Sequence, residues 1–122
     1  MLPIRGVYEV VVPVKDLARA ESFYCDVLGL EVGIRDEDRR WLFLRAGKTA
    51  GMVVLQENKA EFPKTHFALA VNESDIDAAA STLRKQGITV KGPIFIEWMP
   101  AKSIYFVDPD HHDLELCAPI ER

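Results

Sequence analysis

With 122 residues, the chain has room for one domain with a real core and none for two ordinary ones. Its hydrophobic share of 48% and charged share of 28% belong to a globular protein, not to a disordered or fibrous one. A net charge of −4 without a Lys/Arg run argues against nucleic acid or an anionic membrane as partner, and no apolar run approaches the roughly 18 residues of a membrane span.

Met1-Leu2-Pro3-Ile4-Arg5 lacks the charged region and apolar stretch of a signal peptide, so a cytoplasmic location is expected. Val7 to Pro13 reads as a first strand whose apolar run is interrupted by Glu9. Asp16 can cap a helix in which Leu17, Ala20, Tyr24 and Val27/Leu28 follow helical spacing to a stop at Gly29. Cys25 lies in that helix; it and Cys117 have no metal-type spacing and read as free thiols. Strands are expected at Leu30 to Arg35, Trp41 to Arg45 and Met52 to Gln56. Asn58 to Lys64, polar and carrying Pro63, is a linker too short to separate independent domains.

Thr65 to Val71 opens a second half, again with a polar residue, His66, in an apolar strand. Asn72 or Ser74 can cap a helix with the stripe Ile76, Ala79, Ala80 and Leu83, ending at Gly87. Strands follow at Thr89 to Ile96, Lys102 to Val107 and Asp113 to Cys117, the last carrying Glu115. His111 and His112, after Asp108-Pro109-Asp110, read as part of a surface turn.

The order β-α-β-β-β thus occurs twice, at a displacement of about 57 to 58 residues, with Glu9 matched to His66 and Gly29-Leu30-Glu31-Val32 to Gly87-Ile88-Thr89-Val90. The expected fold is α+β: two tandem βαβββ units whose curved, largely antiparallel sheets form an incomplete barrel able to hold a ligand. Strand alternation lets Glu9 and His66 point inward from equivalent places, with Glu115 able to join them. A carboxylate inside an apolar strand costs several kcal/mol unless neutralised. One divalent cation shared by Glu9, His66 and Glu115 would neutralise both carboxylates.

Four signatures occur in one order along the chain. They are Val14-Lys15-Asp16-Leu17; Phe23-Tyr24-Cys25-Asp26-Val27-Leu28-Gly29-Leu30; Thr65-His66-Phe67-Ala68; and Ile104-Tyr105-Phe106-Val107-Asp108-Pro109-Asp110 leading to Leu114-Glu115-Leu116. By these the chain, from about Gly6 to Pro119, resembles the vicinal oxygen chelate superfamily of glyoxalase I, extradiol dioxygenases, fosfomycin-resistance enzymes and bleomycin-resistance proteins. The resemblance implies the glyoxalase/bleomycin resistance/dioxygenase fold, as a single domain over 1–122 with units at about 6–57 and 65–118. The family's metal ligands fall on Glu9 (commonly His), His66 and Glu115, while the further acidic ligand of glyoxalase I-like members falls at about Val54. His111 stands where the family usually has a glycine with positive φ.

One imidazole and two carboxylates carry −2, which a divalent ion cancels. Such a set suits Mn²⁺ or Mg²⁺ and also admits Fe²⁺, Ni²⁺ or Zn²⁺. Open positions would let a substrate with two adjacent oxygens chelate a Lewis-acidic metal, with Glu115 also the catalytic candidate. Trp41, Phe43, Trp98 and Tyr105 are candidates to contact that substrate. The leading expectation is therefore a metal-dependent enzyme acting on a small oxygenated metabolite. Its rival is a metal-free protein that sequesters a drug, as bleomycin-resistance proteins do. Either would form a homodimer, because the resemblance implies a cavity built from two chains and exposed sheet edges favour pairing.

Overall fold

A computed structural model describes residues 1–48 and 51–120. The chain divides into two compact units, Met1–Pro63 and Lys64–Arg122, a boundary inside the expected linker. Both contain a four-stranded sheet and one helical segment in the order β-α-β-β-β.

In the first unit, β1 (Glu9–Val14), β2 (Glu31–Asp36), β3 (Trp41–Arg45) and β4 (Met52–Glu57) lie in the order β1-β4-β3-β2. β1 runs parallel to β4, and the other two pairings are antiparallel. Alternation separates two faces. Val12, Val14, Leu42, Leu44, Val53 and Leu55 bury one of them. Leu17 and Ala20 of α1 (Leu17–Glu21) are buried as well, and α1 packs on β3 and β4. Fully burying one such aliphatic side chain contributes roughly 1.5 to 3 kcal/mol, so this apolar layer organises the unit. The other face carries Glu9, Val11, Met52, Val54, Phe43, Trp41 and Arg45.

The expected single helix up to Gly29 divides in the structure. Asp16 caps α1 by accepting from the Arg19 amide at 3.1 Å. From Ser22 to Val27 the turns then widen to a π-helix, with the Leu28 amide on the Phe23 carbonyl and Leu30 on Tyr24. The widening lets adjacent residues Phe23 and Tyr24 both bury their rings, which meet edge to face with centroids 5.3 Å apart.

The second unit repeats the plan. β5 (His66–Ala70), β6 (Lys91–Ile96), β7 (Ala101–Val107) and β8 (Asp113–Pro119) lie in the order β5-β8-β7-β6, again with one parallel pairing, β5 to β8. The amphipathic α2 (Ile76–Lys85) follows a 3₁₀ turn at Glu73–Asp75 and buries Ile76, Ala80 and Leu83. Ile104, Phe106, Leu114, Leu116 and Ala118 are buried from the sheet, and α2 packs on β6, β7 and β8. Asn72 is the residue before the 3₁₀ turn, but no side-chain bond of its own caps an amide there.

The turn at residues 108–112 corrects the sequence reading. His112 is fully buried, not part of a surface turn; its backbone amide and that of Asp110 donate to the Asp108 carboxylate at 2.9 Å. Its Nδ1 accepts from the Thr65 amide at 3.0 Å, which fixes where β5 begins. His111 is exposed with φ +65°, the left-handed backbone the resemblance implies for that place. Cys25 and Cys117 are free thiols. Among the described residues no helix is long and apolar enough to cross a membrane.

Candidate functional site

Three of the eight strands bring the polar groups of the second unit onto one sheet face. Register pairs His66 with Asp113, Ala68 with Glu115 and Tyr105, and Ala70 with Cys117 and Ser103. His66 and Ser103 therefore lie diagonally from Glu115, within reach of its side chain, and Tyr105 stands directly opposite.

Glu115 is buried, with a side chain 9% exposed. Its Oε2 accepts a hydrogen bond from Ser103 Oγ at 2.7 Å, and its Oε1 lies 3.3 Å from His66 Nε2. His66 Nδ1 lies 3.2 Å from the Asp113 carbonyl oxygen, which can only accept, so that ring nitrogen carries the proton. In neutral His66 the lone pair of Nε2 then faces a carboxylate oxygen. Two acceptors at that distance repel unless a proton or a cation lies between them. Two donors each about 2.1 Å from one ion stand roughly 3.0 to 3.4 Å apart, so the separation fits a shared cation. Both atoms are chemically suited to ligate one.

Tyr105 extends the site. Burial pushes its phenol pKa up, and the negative charge of Glu115 adds to this, while hydrogen bonding to Ser103 opposes it. The phenol thus stays protonated at neutral pH beside the carboxylate. His66, Tyr105, Phe106, Val107, Asp113 and Leu114 line a cavity of about 360 Å³ at this edge of the sheet. A larger one of about 640 Å³ lies where β5 leads into α2, lined by residues 70–75 and Pro119, away from the imidazole–carboxylate pair.

Glu9 begins β1 in the first unit, exposed, in the register row of Met52, Arg45 and Glu31. Arg45 pairs with Glu31 at 4.0 Å. Among the described residues no group of three or more His, Cys, Asp or Glu side chains gathers to hold a metal ion. What the structure brings together is the pair His66–Glu115. Trp41 and Phe43 lie half-buried on the corresponding face of the first unit, and the Arg39 guanidinium sits 5.5 Å from the Trp41 ring centroid. Trp98 is 83% exposed in the turn between β6 and β7.

Ser103 is the site residue that sequence reasoning missed. A signal existed: a hydroxyl at spacing two from Tyr105, in a strand whose other buried residues are Ala101, Ile104 and Phe106.

A model of the Glyoxalase/Bleomycin resistance protein/Dioxygenase superfamily matches residues 6–116. Metallothiol transferase FosB of Staphylococcus haemolyticus is 25% identical over 120 residues, spanning 93% of this chain and 83% of that protein. Integron cassette protein HFX_CASS4, from the mobile metagenome of the Halifax Harbour sewage outfall, superposes with a TM-score of 0.91 at 45% identity, covering 95% of this chain and all of that one. TnmS3, an antibiotic binding protein from Streptomyces sp. CB03234, superposes with a TM-score of 0.82 at 25% identity, covering 98% and 100%.

Proposed function

The chain belongs to the Glyoxalase/Bleomycin resistance protein/Dioxygenase superfamily, and from that premise we propose that it is a metal-dependent enzyme acting on a small oxygenated metabolite through a divalent-metal chelate. The observation that carries this reading is the opposition of His66 Nε2 and Glu115 Oε1 at 3.3 Å, two lone-pair donors that need a positive charge between them. The similarity to a protein named metallothiol transferase supports it.

His66 and Glu115 would hold the cation, and the Asp113 carbonyl keeps the imidazole in the tautomer that leaves Nε2 free to bind it. When bound, the cation supplies Lewis-acid polarisation of the substrate's oxygens. Tyr105, held neutral, keeps its proton available to an oxygen of a substrate seated on this face. The cavity beside His66 has room for a small molecule, with Phe106 and Leu114 among its lining residues.

A second reading has its own support. On the corresponding face of the first unit, Val11, Phe43 and Trp41 make a partly exposed apolar surface, as a protein that only sequesters a ligand would use. The likeness to an antibiotic binding protein favours the same reading. A proton shared between His66 and Glu115 would then take the place of the metal. Under both readings a homodimer in the cytoplasm is part of the proposal, since β1, β2, β5 and β6 are sheet edges.

Metal analysis of protein purified without chelator separates the two. The expected result is one divalent ion per chain. Added Mn²⁺, Ni²⁺, Fe²⁺ or Zn²⁺ at 100 times its dissociation constant should stabilise the protein by about 2.7 kcal/mol. Absence of both bound metal and any thermal shift would overturn the enzyme reading and leave sequestration.

A further inference from the structure

We propose that Ser103 is a positioning residue for Glu115: by holding Oε2 it turns Oε1 alone toward His66, and so sets the affinity of the site for a divalent cation. This inference rests on the metal reading above.

The geometry leaves little choice of roles. Ser103 is fully buried, and its Oγ lies 2.7 Å from Glu115 Oε2. A carboxylate can only accept, so the hydroxyl donates. The terminal torsion of a glutamate is broad and two-fold, so an unheld carboxylate would turn freely and present either oxygen or both. The bond to Ser103 takes Oε2 out of that equilibrium, so that Oε1 is the oxygen that would face a cation at His66. Binding through both oxygens would have to break a short buried hydrogen bond.

The repeat gives an independent argument. Strand register makes Val54 of β4 the counterpart of Glu115, Phe43 the counterpart of Tyr105, and Trp41 the counterpart of Ser103. Where the carboxylate is replaced by an aliphatic group, the hydroxyl is replaced by an indole. The buried hydroxyl and the buried carboxylate occur together and are absent together. Support for the fold alone does not explain this, because the first unit builds the same sheet without either group.

Titration of the full-length, metal-stripped protein with Mn²⁺, and with Ni²⁺ as a second probe, tests the inference by calorimetry. Loss of an outer partner of a ligand typically weakens metal affinity about 10- to 100-fold, and that loss is expected for Ser103→Ala. Ser103→Thr keeps the hydroxyl on a side chain suited to a strand and is expected to stay within about threefold of the parent. Ser103→Cys, nearly isosteric and a weak donor, carries the test if the alanine variant does not fold, and should lose affinity likewise. Parent-like affinity in Ser103→Ala, or an equal loss in Ser103→Thr, would overturn the role of the hydroxyl while leaving the metal site standing. Failure of the parent protein to bind either ion would overturn the metal reading itself, and this inference with it.

Discussion

Glu115 and Val54 occupy the same place in two sheets of the same strand order, and their surroundings differ accordingly. Around Glu115 stand His66, Ser103 and Tyr105; around Val54, at matching register, stand Glu9, Trp41 and Phe43. The opposite faces of both sheets are alike, filled in one unit by Val12, Leu42, Leu44 and Leu55, and in the other by Ile104, Phe106, Leu114 and Leu116. The helix-covered face makes the fold and is mainly apolar in both copies, with Glu57 and Lys102 at its margins reaching α1 and α2. The other face is free to diverge, and in the second unit it carries a charge with the groups needed to keep it.

Moving the charge breaks the comparison most sharply. Val54→Glu would place a carboxylate where Val54 is fully buried, opposite Phe43, with an indole in the place of the serine hydroxyl. Without a partner, such a group is expected to lower the unfolding free energy by roughly 3 to 5 kcal/mol at pH 7. Urea denaturation measures this. A cost below about 1 kcal/mol would mean that the first unit already offers a charge-compatible site, and that the contrast between the faces is only one of composition.

Removing the charge from the second unit should do far less to folding. Glu115→Gln keeps the shape of the side chain and an oxygen able to accept from Ser103. Metal-free stability is expected to change by no more than about 1 kcal/mol, while the thermal shift produced by divalent ions disappears. Thermal melts with and without Mn²⁺ report both quantities. A large loss in the metal-free protein would instead make Glu115 a structural residue, and the His66 contact part of the fold.

The duplicated plan was legible in the chain because it rests on periodicities that short windows reveal. All eight strands lie within about two residues of their expected bounds, from Trp41–Arg45, which coincides, to β6, which starts at Lys91 instead of Thr89. Side-chain pairing was less legible. Strand alternation and the repeat suggested Glu115 and His66 together, and a resemblance supported it, but 49 residues of chain do not announce their diagonal contact between strands. Ser103 escaped because one buried hydroxyl leaves no periodic mark. The π-helix at Ser22–Val27 escaped because over six residues its period and that of an α-helix place nearly the same residues inside. His112 was misread because a turn of Asp, Pro and His is usually solvated, whereas here the Asp108 carboxylate satisfies two amides and folds the turn inward.

The smallest expected difference lies at the helix starts. The α1 amide of Leu17 donates to Glu57 Oε2 at 2.9 Å, a carboxylate reaching over from β4, whereas the counterpart of Glu57 in β8 is Ala118 and α2 begins from a 3₁₀ turn. The Leu17 amide, and after it Arg40, holds the Glu57 carboxyl below its ordinary value of 4.5. A depressed folded value means that the stabilisation is complete above pH 4.5 and is lost as pH falls through the lower, folded value. Glu57→Gln keeps an acceptor for Leu17 but removes the charge at the helix N-terminus, so a loss of about 0.3 to 1 kcal/mol is expected at pH 7. As acid protonates Glu57 in the parent, that difference should shrink until the two denaturation curves coincide. An offset that persists unchanged into strong acid would assign the loss to side-chain shape, and the two helix starts would then differ in packing instead of charge.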